Sequence, residues 1–378
     1  MKLLKIVANN FKLCENNFTI SFVPEGNKTK EDKEFELSKL NENLYVFNTL
    51  GIIGNNASGK TTATDLLSLV YDIFSNFRVK NMIYIFKYFD KPINLDICFY
   101  HDGYLYRYIT KLLINNSYIN NNSIIFKEQK LFKRKYKKTY LKNLFDFEKY
   151  EEVKINAELP EDTSILYNLF KTIKDRGIYY KGNETVDYFF DNFMNVYKFL
   201  NNDLNIVESI LKMFDEHLES IKTTENGNFI IYYTNKTQKE VSSEGIYEVL
   251  SSGTIKGLSL FSYVVYSLKN GCDLVIDEIE NHFHKMLVEN LVNLYKDKSV
   301  NKSGATLIFT THYCELLDLF NRTDNIYITK YNNKISLENM YTNYKFRPEL
   351  SKSNKFYSNA FNTDVNYETL MNFKKELM

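Results

Sequence analysis

The chain has 378 residues, 44% of them hydrophobic and 25% charged, which is enough for one large or two ordinary globular domains. Lys and Arg total 48 against 47 Asp and Glu, so the formal net charge of +1 excludes a global field for nucleic acid or membrane and leaves room only for a local patch. The scattered Cys14, Cys98, Cys272 and Cys314 argue against a disulfide framework or thiolate metal site, and with a Lys5-interrupted N-terminus and no membrane-length apolar run they predict a cytoplasmic protein.

In chain order, short β-type runs come first, Leu3 to Val7 and Phe18 to Val23, followed by a charged loop, Glu25 to Lys39. A strand over Leu44 to Ile53 ends in a glycine-containing turn. Thr61 to Phe74 then places Leu66, Leu67, Val70, Ile73 and Phe74 at helical spacing. Ile93 to Tyr100 and Tyr104 to Ile109 read as strands joined through His101-Asp102-Gly103, whose Asp-Gly is a hairpin signal. Residues 113 to 245 read as an insertion, basic and strand-like at first, then helical over Val186 to Ile221. From residue 246 the pattern is α/β: a helix over Leu258 to Leu268, buried-type strands Leu274 to Ile276 and Thr306 to Phe309, and a crossover helix Lys285 to Tyr295 between those strands. The organisation is therefore an N-terminal part, 1–112, an insertion, 113–245, and a C-terminal part, 246–378.

Gly54-Asn55-Asn56-Ala57-Ser58-Gly59-Lys60-Thr61 fits the phosphate-binding loop G-x-x-x-x-G-K-[ST], with Thr62 following. Its glycines let backbone N–H groups point at phosphate oxygens, and the next helix adds its positive N-terminal end. Lys60 is placed to neutralise β- and γ-phosphates and the Thr61 hydroxyl to ligate Mg²⁺. Leu274-Val275-Ile276-Asp277-Glu278 ends a buried strand in two acids: Asp277 to hold Mg²⁺ and Glu278 to act as general base on the attacking water. One helix and one strand later, Thr310-Thr311-His312 brings a hydrogen-bond donor for the γ-phosphate. Upstream of the Asp-Glu pair, Leu250-Ser251-Ser252-Gly253-Thr254 opens an apolar helix.

In this order, phosphate loop, Leu-Ser-x-Gly signature, Asp-Glu strand end and switch histidine resemble an ABC-type ATPase. The resemblance implies a P-loop head with N-terminal antiparallel strands, a parallel-sheet core and a mixed, partly helical insertion. It implies ATP and Mg²⁺ as ligands and ATP hydrolysis as activity. It further implies a homodimer or higher homo-oligomer in which Ser251 and Gly253 of one subunit contact the ATP held by another. Ser252 stands where the signature has its first glycine, Thr254 where it has glutamine, and no Gln occurs between Lys60 and Tyr100, so the glutamine-loop residue is unassigned. The short strands before the loop, Asp277-Glu-Ile-Glu-Asn-His-Phe-His284 and the tail Pro348 to Tyr357 resemble soluble SMC/RecF-like and OLD-like heads, and most closely the stand-alone ATPases of abortive-infection, Septu-type, retron-associated and PARIS-type anti-phage systems. That resemblance implies a regulatory subunit controlling a separate effector, a nuclease or toxin; the alternative is a DNA-maintenance head. An OLD-type nuclease needs a carboxylate-rich domain after His312, which the sequence does not show. A transporter subunit fits poorly with the insertion.

Two features stand apart. His282 and His284 form a His-x-His beside Glu278 and Glu280, a conceivable metal site that the resemblance instead places against the opposite subunit. Phe126 to Lys142 carries eight cations against one acid, with aromatics interleaved. It reads as a solvated strand edge that lysines protect from pairing, or as a nucleic-acid surface.

Overall fold

A computed structural model of the chain describes residues 1–79, 91–115, 123–138, 144–155, 158–171, 193–281, 284–344, 351–358 and 367–377. The elements begin with β1 (Lys2–Asn9), β2 (Phe18–Ser21), a π-helical turn (Asp32–Glu36), β3 (Leu37–Asn41), β4 (Leu44–Phe47), β5 (Thr49–Ile53) and α1 (Lys60–Asn76). Then follow β6 (Ile93–His101), β7 (Tyr104–Asn115), β8 (Ser123–Lys135), β9 (Glu151–Glu152), α2 (Leu166–Phe170), α3 (Phe193–Phe199) and α4 (Leu204–Phe214). A three-stranded run, β10 (Leu218–Thr223), β11 (Phe229–Tyr233) and β12 (Gln238–Val241), leads to α5 (Ser252–Asn270), β13 (Leu274–Ile276) and α6 (Lys285–Lys296). The chain continues through β14 (Leu307–Thr311), a 3-10 turn (Cys314–Leu319), β15 (Ile326–Asn332), β16 (Lys334–Asn339), α7 (Lys352–Tyr357) and α8 (Tyr367–Glu376). The mixed α/β class agrees with the motifs. Among the described residues no helix is long and apolar enough to cross a membrane.

Contacts divide the chain into two compact units, Met1–Gly177 with Ile308–Met378, and Ile178–Leu307. Besides the two-stranded β3–β4 sheet, the first unit holds two larger sheets. One is antiparallel in the order β2-β1-β6-β7-β8-β9. Its β6–β7 hairpin turns through Asp102 and Gly103 at φ 47° and 82°, the left-handed pair that an Asp-Gly turn supplies. The other sheet carries β14-β5-β15-β16, with β5 and β15 parallel. Its strands are apolar on both faces: Leu50, Ile52, Ile53, Leu307, Ile308, Phe309, Ile326 and Ile328 are all fully buried. Helix α1 is buried almost all round, through Ala63, Leu66, Leu67, Leu69, Val70, Ile73 and Phe74.

The expected strand Leu44 to Ile53 is in fact two. Asn48 is fully buried between them; its N–H donates to the Glu36 carbonyl (2.8 Å) and its Nδ2 to the Phe35 carbonyl (2.9 Å). These bonds divert the chain, so β4 pairs with β3 and β5 joins the central sheet. The loop expected over 25–39 accordingly contains the π-helical turn and the start of β3. Buried Arg322 ties that segment down: it donates to Asp32 (2.7 Å), Asp324 (2.5 Å) and the Asn27 carbonyl (2.8 Å). Desolvation lowers the basicity of Arg322, but its bonds to Asp324 and Asp32 outweigh this and hold it above the ordinary guanidinium value.

In the second unit, α3, α4, β10 to β12 and α5 share one core around Phe193, Val207, Leu211, Phe229, Ile231, Leu258 and Phe261. Helix α5 meets α4 at Gly257, where a Cβ would collide with the ring of Phe214. Strand β13 begins with the Leu274 N–H donating to the Thr306 carbonyl (2.8 Å). The helical reading of Val186 to Ile221 needs correction: residues 186–192 lie outside the described part, α3 and α4 are helical, and Leu218 to Ile221 belong to β10. The buried Leu218 and Ile221 are three residues apart, as on a helix face, and it is pairing with β11, irregular between Leu218 and Ser220, that makes this segment a strand. The basic strand of the 113–245 region and α2 belong to the first unit, and α3 and α4 pack within the second.

Candidate functional site

The phosphate loop leaves the carboxyl end of β5, where Ile53 is paired with Ile328 of β15. Gly59 is the N-cap of α1 at φ 108°, a conformation that an L side chain rarely adopts, and a Cβ there would collide with Ile335. At Gly54 a Cβ would fall on Ser58 Oγ and Thr329 Oγ1, and lie 2.7 Å from the Thr329 carbonyl. Ala57, between them, is also left-handed at φ 59°. The two invariant positions of the motif are thus glycine for two reasons, crowding at Gly54 and both crowding and backbone angle at Gly59.

Lys60 is 4% exposed and folds back over the loop. Its Nζ donates to the carbonyls of Gly54 and Asn55, each at 2.9 Å, and lies 3.3 Å from His312 Nδ1. An ammonium has donors only, so in a hydrogen bond between the two groups Nδ1 is the acceptor. His312 follows β14 and is half-buried, beside the fully buried Thr310 and Thr311. Lys60 and His312, 252 positions apart, meet within the first unit. Thr61 is exposed in the first turn of α1, and Thr62 is buried beside it. Asn55 is half-buried and Asn56 exposed on the loop.

The remaining motif residues lie in the second unit. Ser251 is the N-cap of α5; its Oγ accepts from the Thr254 N–H (3.1 Å) and lies 2.8 Å from the Thr254 hydroxyl. Ser251, Ser252 and Gly253 are exposed, and a Cβ on Gly253 would meet only Ser251 Oγ, at 3.8 Å. The signature therefore presents an open helix N-terminus, a place that favours anions. Asp277 is buried just past β13. Glu278 is half-buried with φ 50°; Asn281 returns two bonds to it, N–H to carbonyl (2.9 Å) and Nδ2 to Oε2 (2.6 Å). His284 is exposed before α6, and His282 lies outside the described residues. Among the described residues no three His, Cys, Asp or Glu side chains group as a metal cage.

Thr329, Ile335 and Asn281 were not visible as site residues, because each is an ordinary residue type made local by folding. The same holds for the Lys12–Asp65 ion pair, which ties the segment after β1 to α1. The 3-10 turn just after His312 has an anchor of its own. Asp318 accepts from the backbone N–H of Lys352 (2.6 Å) and Ser353 (3.3 Å) and from the Ser351 hydroxyl (3.2 Å) and the Ser353 hydroxyl, while buried Lys352 donates to the Phe320 carbonyl (2.8 Å). Burial raises the Asp318 carboxyl, but these bonds outweigh it and leave it below the ordinary value. In the basic stretch, residues 139–142 lie outside the described part. Strand β8 pairs with β7 along its length and with β9 only at Phe132 and Lys133. Lys127 is paired with Glu161 and Glu128 with Lys111, while Arg134 stacks on Tyr150. That is the chemistry of a solvated strand near a sheet edge.

A glycine cradle, a buried lysine turned into it, an uncapped helix start behind it and a histidine in contact with that lysine together form a phosphate-binding loop of the P-loop kind. Residues 50–318 match the family described as "AAA domain, putative AbiEii toxin, Type IV TA system", and the chain belongs to that family. No curated protein matches the chain. Among solved structures, the SMC head bound to the C-terminal winged-helix domain of ScpA aligns over 90% of this chain and 98% of that one, at 11% identity and a TM-score of 0.45.

Proposed function

We propose that this chain binds and hydrolyses Mg·ATP as a nucleotide-sandwich homodimer or higher homo-oligomer, and that it is the cytoplasmic regulator of a separate effector in a bacterial anti-phage system. The observation that carries the ATP reading is Lys60, buried in the glycine cradle with its ammonium on the loop's own carbonyls and beside His312. Phosphate oxygens are stronger acceptors than those carbonyls, so a nucleotide draws the ammonium to its β- and γ-phosphates without stranding a buried charge. Loop N–H groups from Asn55 to Thr62 and the start of α1 hold the same oxygens. Thr61 and Asp277 are the residues that would hold Mg²⁺, which neutralises phosphate charge when bound. Glu278 takes the proton of the attacking water, and Nε2–H of His312 donates to the γ-phosphate. The open N-terminus at Ser251 and Gly253 caps the nucleotide of a second copy.

The family description, which names a putative toxin and a type IV TA system, fits a chain that acts together with a second component. A difference in ATP affinity between two states is what such a regulator has to offer. The alternative, a DNA-maintenance head, relies on residues 126–142, where ion pairing already occupies part of the charge. Nucleotide binding and phosphate release, measured on the wild type and on Lys60→Ala, test the ATP reading: Lys60→Ala loses both. Undiminished ATP binding by Lys60→Ala would sink it. Co-expression with the product of the adjacent open reading frame should give a stable complex, and the purified chain with Mg·ATP should leave DNA and RNA intact. Nuclease activity of the chain alone, lost on a substitution outside the ATP site, would instead make it its own effector.

A further inference from the structure

We propose that Thr329 is a positioning residue of the phosphate loop, whose hydroxyl pins Ser58 in the conformation that receives a nucleotide's phosphates. The inference rests on the ATP reading above and concerns a residue outside every motif. Thr329 is fully buried on β15, one residue past Ile328, the register partner of Ile53 at the end of β5. Its Oγ1 lies 3.3 Å from the Ile53 carbonyl and 2.6 Å from Ser58 Oγ. The carbonyl can only accept, so when Thr329 donates its single proton there Ser58 is the donor to Thr329. The two contacts thus link loop to threonine to strand. The same hydroxyl occupies the space that a Gly54 side chain would need. Ser58, only 6% exposed, also donates its N–H to the Asn55 carbonyl (3.2 Å), so fixing its side chain fixes the turn of the loop between Asn55 and Gly59.

Shape alone does not account for this arrangement, because valine would fill the site equally well. Valine would also take the acceptor from a buried hydroxyl and the donor from a strand-end carbonyl, a loss felt where the loop must hold still. The test uses the full chain with Mg·ATP and four variants: Thr329→Val, Thr329→Ser, Ser58→Ala and the double variant Thr329→Val/Ser58→Ala. We expect Thr329→Val to raise KM and Kd for ATP about tenfold, the scale of one buried hydrogen bond, with kcat at saturating ATP retained. Thr329→Ser should restore wild-type KM, and the double variant should bind no more weakly than the worse single one, since both remove the same bond. Wild-type affinity in Thr329→Val, or losses that add in the double variant, would overturn the proposal. Should Thr329→Val not fold, Ser58→Ala decides, and wild-type affinity there overturns it as well. Lys60→Ala in the same titration reports on the ATP reading itself, so failure of that reading is seen separately.

Discussion

Glu278 sits at φ 50° without being glycine, a backbone choice that costs on the order of 1–3 kcal/mol. Asn281 holds it there from both ends, by backbone and side chain. Such strain persists where surrounding bonds enforce it, and a strand ending in Asp-Glu is where a general base is wanted. Glu278→Gln should therefore keep ATP binding while phosphate release falls ~10²–10⁴-fold. Unchanged turnover in single-turnover and steady-state assays would remove Glu278 from that role. The motif residues were legible because each answers a steric or charge requirement that few residue types meet: glycine at Gly54 and Gly59, lysine at Lys60. Thr329 was not, since threonine in a strand is what any strand contains, and its partner Ser58 is 271 positions away.

Among the elements, the turn after His312 and helix α7 form one clamp through Asp318. A carboxyl held below its unfolded value contributes stability that is present above that value and lost as pH falls through the folded one. Here the unfolded value is 3.8, so the contribution is full at neutral pH and declines below about pH 4. Asp318→Asn should lower the urea midpoint at pH 7, and the gap to wild type should close on acidification through that window. A gap independent of pH would mean that the side-chain charge does not hold the clamp. Element types were largely readable: the helix expected over Lys285 to Tyr295 is Lys285–Lys296, and that over Leu258 to Leu268 extends to Ser252–Asn270. Their apolar spacing has one period and one solution. Strand ends and the break at Asn48 were not readable, because they depend on hydrogen bonds from Glu36 and Phe35, residues with no periodic signal.

For the whole molecule, the sandwich reading makes a prediction that no single subunit can satisfy. Ser251→Arg should spare ATP binding and abolish hydrolysis, because a bulky cation blocks the opposing nucleotide. Mixed with Lys60→Ala, it should regain part of the phosphate release, since one composite site then keeps an intact Lys60 and an intact Ser251. No rescue, in mixtures shown by labelled subunits to exchange, would count against a shared site. The chemistry proposed for this protein was legible in the sequence alone: a phosphate loop, a Leu-Ser-x-Gly string, an acidic strand end and a histidine can be read in linear order because that chemistry demands particular side chains. Only the tertiary structure decided what braces that chemistry. Thr329 against Ser58, Ile335 against Gly59 and Asp318 under α7 are contacts between common residues, and it is the pairing of distant strands that brings them within hydrogen-bond or van der Waals reach.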